Sequence, residues 1–176
     1  MIRFIVICLI SFLITPAFGE EIPKYERKYF KHWIDADKDG QDTREEVIED
    51  ETINDHLTCI WTGGVFPASG EGMDNDHQVP LKKAWYDGAW RWDEDKRTEY
   101  ANYLGDPDHL QMIDLSANRS KGARGPCDWL PKLHRCKYAI SWIRVKRNPY
   151  WDLEIDPKEA ACLMDIIAAE CPAQLY

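Results

Sequence analysis

Apolar and polar positions alternate with the clearest period in the last quarter of the chain. Over 157–170, Ala160, Leu163, Met164 and Ile167 recur at helical spacing behind Asp156 and Pro157. An acid at the N-cap and a proline at the first helical position are start signals, so a helix is expected there. Residues 137–146 carry the same spacing and predict another. Nearer the start, 25–34 reads as a short amphipathic helix, and an acidic loop over 35–46 runs into a helix ending near Asn54. Helices are expected over 82–90 and 93–103, the second with Asp93 as N-cap. Residues 58–66, TCIWTGGVF, have β-branched and aromatic residues around Gly63-Gly64 and predict a short hairpin. After the turn at 69–72, residues 73–79 read as a strand and 109–114 as a second. Ser116 is the expected N-cap of a short helix over 118–121. The order is two strands and then a helix, with a helical insertion between the strands, so the class is α+β, mostly α.

No internal repeat, low-complexity tract or linker divides the chain, and 20–176 is expected to be a single domain. The first residues differ from the rest. Arg3 is followed by an apolar run over 5–14, broken only by Ser11, and small residues Ala17 and Gly19 precede Glu20. This is the layout of a secretory signal peptide over 1–19. An apolar run of about ten residues is short of the ~20 needed to span a bilayer. The expected product is secreted or periplasmic, free of the membrane after cleavage, and a monomer. Export makes Cys59, Cys127, Cys136, Cys162 and Cys171 candidates for disulfides rather than zinc ligands. There is no C-x-x-C pair, and an odd number leaves at least one thiol free or paired with another chain.

The formal charge is −9, which opposes tight binding of a polyanion through bulk electrostatics. Its distribution is uneven. Between 117 and 147 the basic residues Arg119, Lys121, Arg124, Lys132, Arg135, Lys137, Arg144, Lys146 and Arg147 are interrupted by one acid, Asp128, whereas 20–55 is acidic. Charge alone leaves two readings open, a face that handles a polyanion and a solvated helix face.

Candidate chemistry centres on Asp74-Asn75-Asp76-His77-Gln78-Val79-Pro80-Leu81. With a period of two, Asp74 and Asp76 share one face of the strand and His77 points to the other, while twist at the strand end can still bring Asp76 and His77 around one ligand. Hydrolysis of a phosphodiester needs an attacking water, a base and a cation at the phosphate. Histidine is a suitable base near neutrality, and a carboxylate with an amide oxygen, here Asp76 and Asn118, makes an incomplete oxygen shell suited to Mg²⁺.

Several segments extend this pattern: DHQVPLKKAW at 76–85, YANYLGDPDHL at 100–110, SANRSKG at 116–122, DWLP at 128–131, RCKY at 135–138 and DTREEV at 42–47. In this order they resemble the secreted bacterial HNH endonuclease family. The resemblance implies a ββα-metal (HNH) core with inserted and flanking helices. It makes His77 the general base and Asp76 and Asn118 the metal ligands, with Asp74 in the outer shell. Mg²⁺ is the expected ion, Mn²⁺ the alternative. His109 stands where the family often has an asparagine that orients the catalytic histidine; it is expected to orient His77, bind the metal or donate a proton. Arg119, Lys121, Arg124 and Arg44 are expected along the substrate backbone, DNA with RNA as an alternative. Cys136–Cys171 is the first disulfide the resemblance implies. Members often carry a cysteine where this chain has Gln41, which leaves Cys59 in need of Cys127 or Cys162. Trp85, Trp90, Trp92 and Trp129 are expected in the core rather than stacked on bases, and His32, His56 and His134 at ordinary surface or packing positions.

A second site is suggested at 35–46. Asp35, Asp37 and Asp39 fall at positions 1, 3 and 5 of a calcium-loop template, Gly40 at 6, Gln41 at 7 and Glu46 at 12. Asp42 stands at position 8, where an apolar residue is usual. This EF-hand-like loop makes Ca²⁺ a further expected ligand. It also supports a second class of function, a calcium-binding extracellular interaction module with an inactive HNH site.

Overall fold

The computed structural model describes residues 21–171, and the expected signal peptide lies outside them. Among the described residues no helix is long and apolar enough to cross a membrane. In chain order they form α1 (Thr43–Glu51), β1 (His56–Thr58), β2 (Val65–Pro67), β3 (Met73–His77), α2 (Leu81–Tyr86), α3 (Glu94–Ala101), β4 (Leu110–Asp114), α4 (Leu115–Lys121), α5 (Arg135–Arg147) and α6 (Pro157–Glu170). The class is α+β and mostly helical, with two small antiparallel sheets, β1–β2 and β3–β4.

The β3–β4 pair sets the frame. Its register places Asp74 opposite Ile113, Asp76 opposite Gln111 and His77 opposite Leu110. The chain between the strands forms α2 and α3, and α4 follows β4 without a break and packs back on both strands. On the outer side of β4, the Met112 N–H donates to the Glu51 carboxylate of α1, 3.1 Å away.

Acids start four of the helices. Asp42 accepts from the Arg44 and Glu45 N–H groups, and the Glu45 carboxylate returns to the Asp42 N–H in a capping box. Asp93, Asp114 and Asp156 cap α3, α4 and α6 in the same manner. Ser116 is therefore not the cap expected; Asp114 takes its place and α4 begins earlier. The expected helix over 25–34 is reduced to one 3₁₀ turn at Arg27–Tyr29, with no side-chain cap from Glu26. Its aromatic rings are committed elsewhere: Tyr25, Tyr29 and Phe30 gather round Trp85, 4.8–6.3 Å between centroids. The helix expected over 82–90 is cut at Gly88, whose φ of +129° leaves helical space, and resumes as a 3₁₀ turn at Ala89–Arg91.

Disulfides join Cys136 to Cys171 and Cys127 to Cys162. The first ties the start of α5 to the end of α6, so the two helices run antiparallel. In the chain-entropy account, loops of this length each stabilise by about 4 kcal/mol. Among the described residues Cys59 is the thiol left free by the odd count, and neither Cys127 nor Cys162 serves as its partner. It is buried on the β1–β2 side, where its sulfur accepts the Asp114 N–H (3.3 Å), whereas Cys127 lies against the first turn of α6 within reach of Cys162.

Between α2, α5 and α6 lies a buried quartet of charges. Lys146, fully buried, donates to Asp87 (2.8 Å) and Glu159 (2.7 Å). Lys83 contacts the same two carboxylates at 2.6 and 3.1 Å, and the Trp142 indole N–H also donates to Glu159. Removing one member leaves the others buried and unbalanced, which costs about 3–5 kcal/mol. Lys146→Met should lower the unfolding free energy by that amount, read in urea as a lower midpoint at unchanged slope. A loss below about 1 kcal/mol would mean that Lys83 alone balances both acids.

Candidate active site

The two faces of β3 present different groups. Asp74 and Asp76 face α4, where the Asn118 amide donates to Asp74 Oδ2 (3.2 Å) and Lys121 Nζ to Asp76 Oδ2 (2.6 Å). Lys121 Nζ also donates to the carbonyl of His77 (2.6 Å). The His77 ring lies on the opposite face, between Trp33 and Tyr100, with Nε2 2.9 Å from the Ala101 carbonyl at the end of α3. A carbonyl only accepts, so Nε2 carries the proton and Nδ1 holds the lone pair. No hydrogen bond from the described residues reaches Nδ1. Burial, and then the neighbouring His109, hold the His77 pKa well below the usual histidine value. The ring is neutral at neutral pH, the form a base requires.

The oxygen atoms divide into committed and uncommitted ones. Asp74 Oδ1 receives Arg44 (2.9 Å) and the Asn75 N–H (3.0 Å), while its Oδ2 receives Asn118. Lys121 takes Asp76 Oδ2. Burial raises the Asp76 pKa and lowers that of Lys121, each opposed by the other's charge. Among the described residues, Asp76 Oδ1 and Asn118 Oδ1 have no protein partner. Two oxygens from two elements are a donor set that a hard divalent cation fits, with most of its shell left to water and substrate.

A cleft of about 340 Å³ gathers Asp74, Asp76, His77, Asn118 and Arg119, with Arg27 and Lys82 also on its wall. Three larger cavities of about 450–520 Å³ lie elsewhere and hold neither His77 nor its carboxylates.

Other expected site residues are not brought to this cleft. His109 is 1% exposed, donates from Nε2 to the Tyr100 carbonyl (2.7 Å) and lies 6.0 Å from His77 between ring centroids. It neither lines the cleft nor holds His77, whose partner is the Ala101 carbonyl instead. Lys121 is buried and spent on Asp76 and His77, so it is not available to a substrate. Arg124 is exposed, donating to the Lys121 carbonyl at 3.2 Å outside the cleft. Arg44 braces Asp74 from behind. The basic stretch is not a bare face either: Arg144 forks onto Asp106 and Asp108, Lys137 meets Asp108, Arg135 meets Glu170, and Lys146 is buried.

Sequence reasoning missed Arg27, which stands in no motif, and Lys82, which lies within the quoted 76–85 segment but was given no role. It also missed Asn75, which lies within the quoted segment. Asn75 lines the cleft, and both of its amide atoms are buried without a partner. The carbonyl that fixes His77 belongs to the backbone and left no residue-type signal.

In the acidic loop, carboxylate oxygens of Asp35, Asp37 and Asp39 lie within 4.8 Å of one another, all three side chains exposed. Gly40 adopts φ +101°, and α1 starts at Thr43. Glu46 is near enough to this cluster that burial and then the charges of Asp37, Asp39 and Asp35 raise its pKa. The Gln41 side chain turns away to Glu49 (2.8 Å).

No family model matches the chain, and no solved structure matches it. The chain is similar to an uncharacterized secreted protein of the fungus Arthroderma benhamiae, 32% identical over 155 residues that cover 81% of this chain and 74% of that one. This overturns the expected membership of the secreted bacterial HNH endonuclease family: no HNH model matches, and the relative is fungal. The expected export is in accord with it, and the protein is secreted.

Burial of His109 has a measurable consequence. Its pKa falls from 6.5 to about 4, so as pH drops the unfolded chain binds the proton first. The stability it contributes is present above pH 6.5 and is lost between 6.5 and about 4. Glu51 acts in the opposite sense. Burial raises it from 4.5 to about 7, so its contribution is present at low pH and lost as pH rises through that interval. His109→Phe should therefore gain on the wild type by roughly 5 °C in Tm between pH 7.5 and pH 4.5. A gap that does not change with pH would exclude His109 as the group responsible.

Proposed function

We propose that this chain, which belongs to the family of the Arthroderma benhamiae secreted protein, is a metal-dependent endonuclease that hydrolyses phosphodiester bonds of DNA, with RNA as the second substrate to test. The observation that carries this reading is His77, neutral and held by the Ala101 carbonyl with Nδ1 unprotonated, in one cleft with Asp76, Asn118 and the cations Arg119, Arg27 and Lys82. A base beside uncommitted oxygens suits hydrolysis, and three cations on the same wall suit an anionic substrate.

In this mechanism the phosphate lies against Arg119, with Arg27 and Lys82 flanking it. His77 Nδ1 takes a proton from water as the water oxygen bonds to phosphorus and the bond to the leaving oxygen breaks. The Ala101 carbonyl stabilises the imidazolium through Nε2–H. Asp74 holds the Asn118 amide, and Lys121 holds Asp76, so that one oxygen of each faces the cleft. A divalent ion bound by Asp76 and Asn118, Mg²⁺ first and Mn²⁺ second, would supply neutralisation of charge on the phosphoryl and leaving oxygens. The finer fold reading rests on the same residues: β3, β4 and α4 as a ββα-metal core, α2 and α3 inserted, and the remaining helices flanking.

The convergence of Asp35, Asp37 and Asp39 favours a second reading, Ca²⁺ bound at the acidic loop of an extracellular interaction module whose cleft is inactive. The two readings separate experimentally. The mature chain should nick supercoiled plasmid with Mg²⁺ or Mn²⁺ and stop with EDTA. His77→Ala should lose at least about 100-fold in rate while remaining folded at the assay temperature, at a lower Tm because a buried ring is removed. Folded wild type that cuts neither plasmid nor RNA would end the nuclease reading. For the loop, millimolar Ca²⁺ should raise Tm by several degrees, as for any ligand that binds only the native state. Asp37→Asn with Asp39→Asn should abolish that rise. A Tm indifferent to Ca²⁺ would remove the second reading.

A further inference from the structure

On the far side of α4 from the cleft lies a cavity of about 450 Å³ between the helix, the β1–β2 turn and the segment around Trp129. We propose that it is a nucleobase subsite, seating the base of a nucleotide that flanks the bond cut in the cleft. This inference rests on the nuclease reading and names a substrate contact for it.

The first support is position. α4 offers Asn118 and Arg119 to the cleft and Ser116, Ala117 and Ser120 to the cavity. The two sites are separated by one helix, on the order of 10 Å across, a span that one or two nucleotides of a single strand cover. Exposed cations stand on both sides of it, Arg119 at the cleft and Lys132 at the cavity, so the path of a polyanion over the helix is favoured at both ends.

The second support is the chemistry of the wall. The Trp129 indole is fixed by its N–H, which donates to Ser120 Oγ (3.2 Å), and by an edge contact with Tyr138 at 5.6 Å. Trp61 also meets Tyr138 edge-on at the same distance and is buried. A rigid aromatic wall stacks a base without first losing side-chain entropy. Asp114 adds an acceptor. Its Oδ1 caps α4, receiving the Ser116 and Ala117 N–H groups, while Oδ2 has no protein partner among the described residues. An unpaired carboxylate oxygen beside an indole selects bases with an exocyclic amino group, namely adenine, cytosine or guanine, over thymine. A sugar ring also stacks on tryptophan and bonds to an acid. The cations on either side of α4 favour the nucleotide.

The test uses the full mature protein with two substrates: single-stranded hexanucleotides of one base each, and methyl p-nitrophenyl phosphate, which has no base. Trp129→Ala should raise the hexanucleotide KM about tenfold more than the ester KM, with Trp129→Phe regaining most of the difference. Oligo-dT should bind worst to the wild type and change least in Trp129→Ala. Ser116→Phe, on an exposed helical position, fills the cavity without removing a core side chain and should reproduce the KM effect if Trp129→Ala fails to fold. Equal KM ratios in wild type and variants would overturn the subsite while leaving the nuclease reading in place. If the wild type cleaves neither substrate, tryptophan quenching by the uncut hexanucleotide decides. Quenching lost in Trp129→Ala keeps the base pocket and ends the nuclease reading, whereas quenching by a neutral oligosaccharide alone overturns the proposal.

Discussion

The Lys121 ammonium is the contact on which the cleft depends. It is buried, and within 2.6 Å it meets both the Asp76 carboxylate and the His77 carbonyl. A lone charge in that position would be expelled from the interior, so the lysine stays only because strand β3 supplies two acceptors at once. In return α4 is pinned to the end of β3 at the place where Asn118 and Arg119, up to one turn earlier on the same helix, reach the cleft. Asp76 is left with one oxygen, and its orientation is no longer free. The same lysine, counted from sequence as a contact for substrate, works inside the protein instead.

A second constraint comes from the insertion between the paired strands. Its helix α3 ends with the carbonyls of Tyr100 and Ala101, and helix ends leave such carbonyls without intrahelical partners. Two imidazoles take them: His109 binds the first and His77 the second. The two histidines thus have similar anchors but different surroundings. His109 is enclosed by Tyr100, Tyr103 and Trp151, while His77 lies at the strand end beside the cleft. Helical residues between β3 and β4, longer than a hairpin needs, set the tautomer of the histidine at the strand end.

How far the sequence could be read follows from which interactions are local. Period and caps are local, so α3, α5, α6, the paired strands β3 and β4 and the Asp93 and Asp156 caps were legible. The hairpin expected over 58–66 instead has its strands at His56–Thr58 and Val65–Pro67. The alternation along β3 was legible too, and it places Asp74 and Asp76 against α4 with His77 behind. The helix over 25–34 was misread because its apolar positions serve a cluster around Trp85, a non-local demand that outweighs periodicity. The roles given to Lys121 and His109 failed for a related reason. Residue type states that lysine is cationic and that histidine is a base, but burial decides what either can touch. Arg27 reaches the cleft from some 50 positions before His77, and no spacing rule connects them. The pairing of Cys127 with Cys162 likewise depended on how the segment after α4 folds onto α6.

The net negative charge is consistent with work on a polyanion once its location is considered. Much of the acid excess is structural: Asp42, Asp93, Asp114 and Asp156 cap helices, Asp106 and Asp108 neutralise α5, and Asp87 and Glu159 sit inside the buried quartet. Asp35, Asp37 and Asp39 lie together in an exposed loop before α1. At physiological ionic strength exposed charges are screened over about 8 Å, so an anionic substrate of the kind proposed would respond in the cleft chiefly to Arg119, Arg27 and Lys82. Far from the surface the same substrate meets a net negative body. Encounter with such a substrate would thereby be slowed while contact stayed favourable, and the balance between them would shift with salt. On the nuclease reading proposed above, productive contact would be confined to the cleft, whose lining carries Arg119, Arg27 and Lys82.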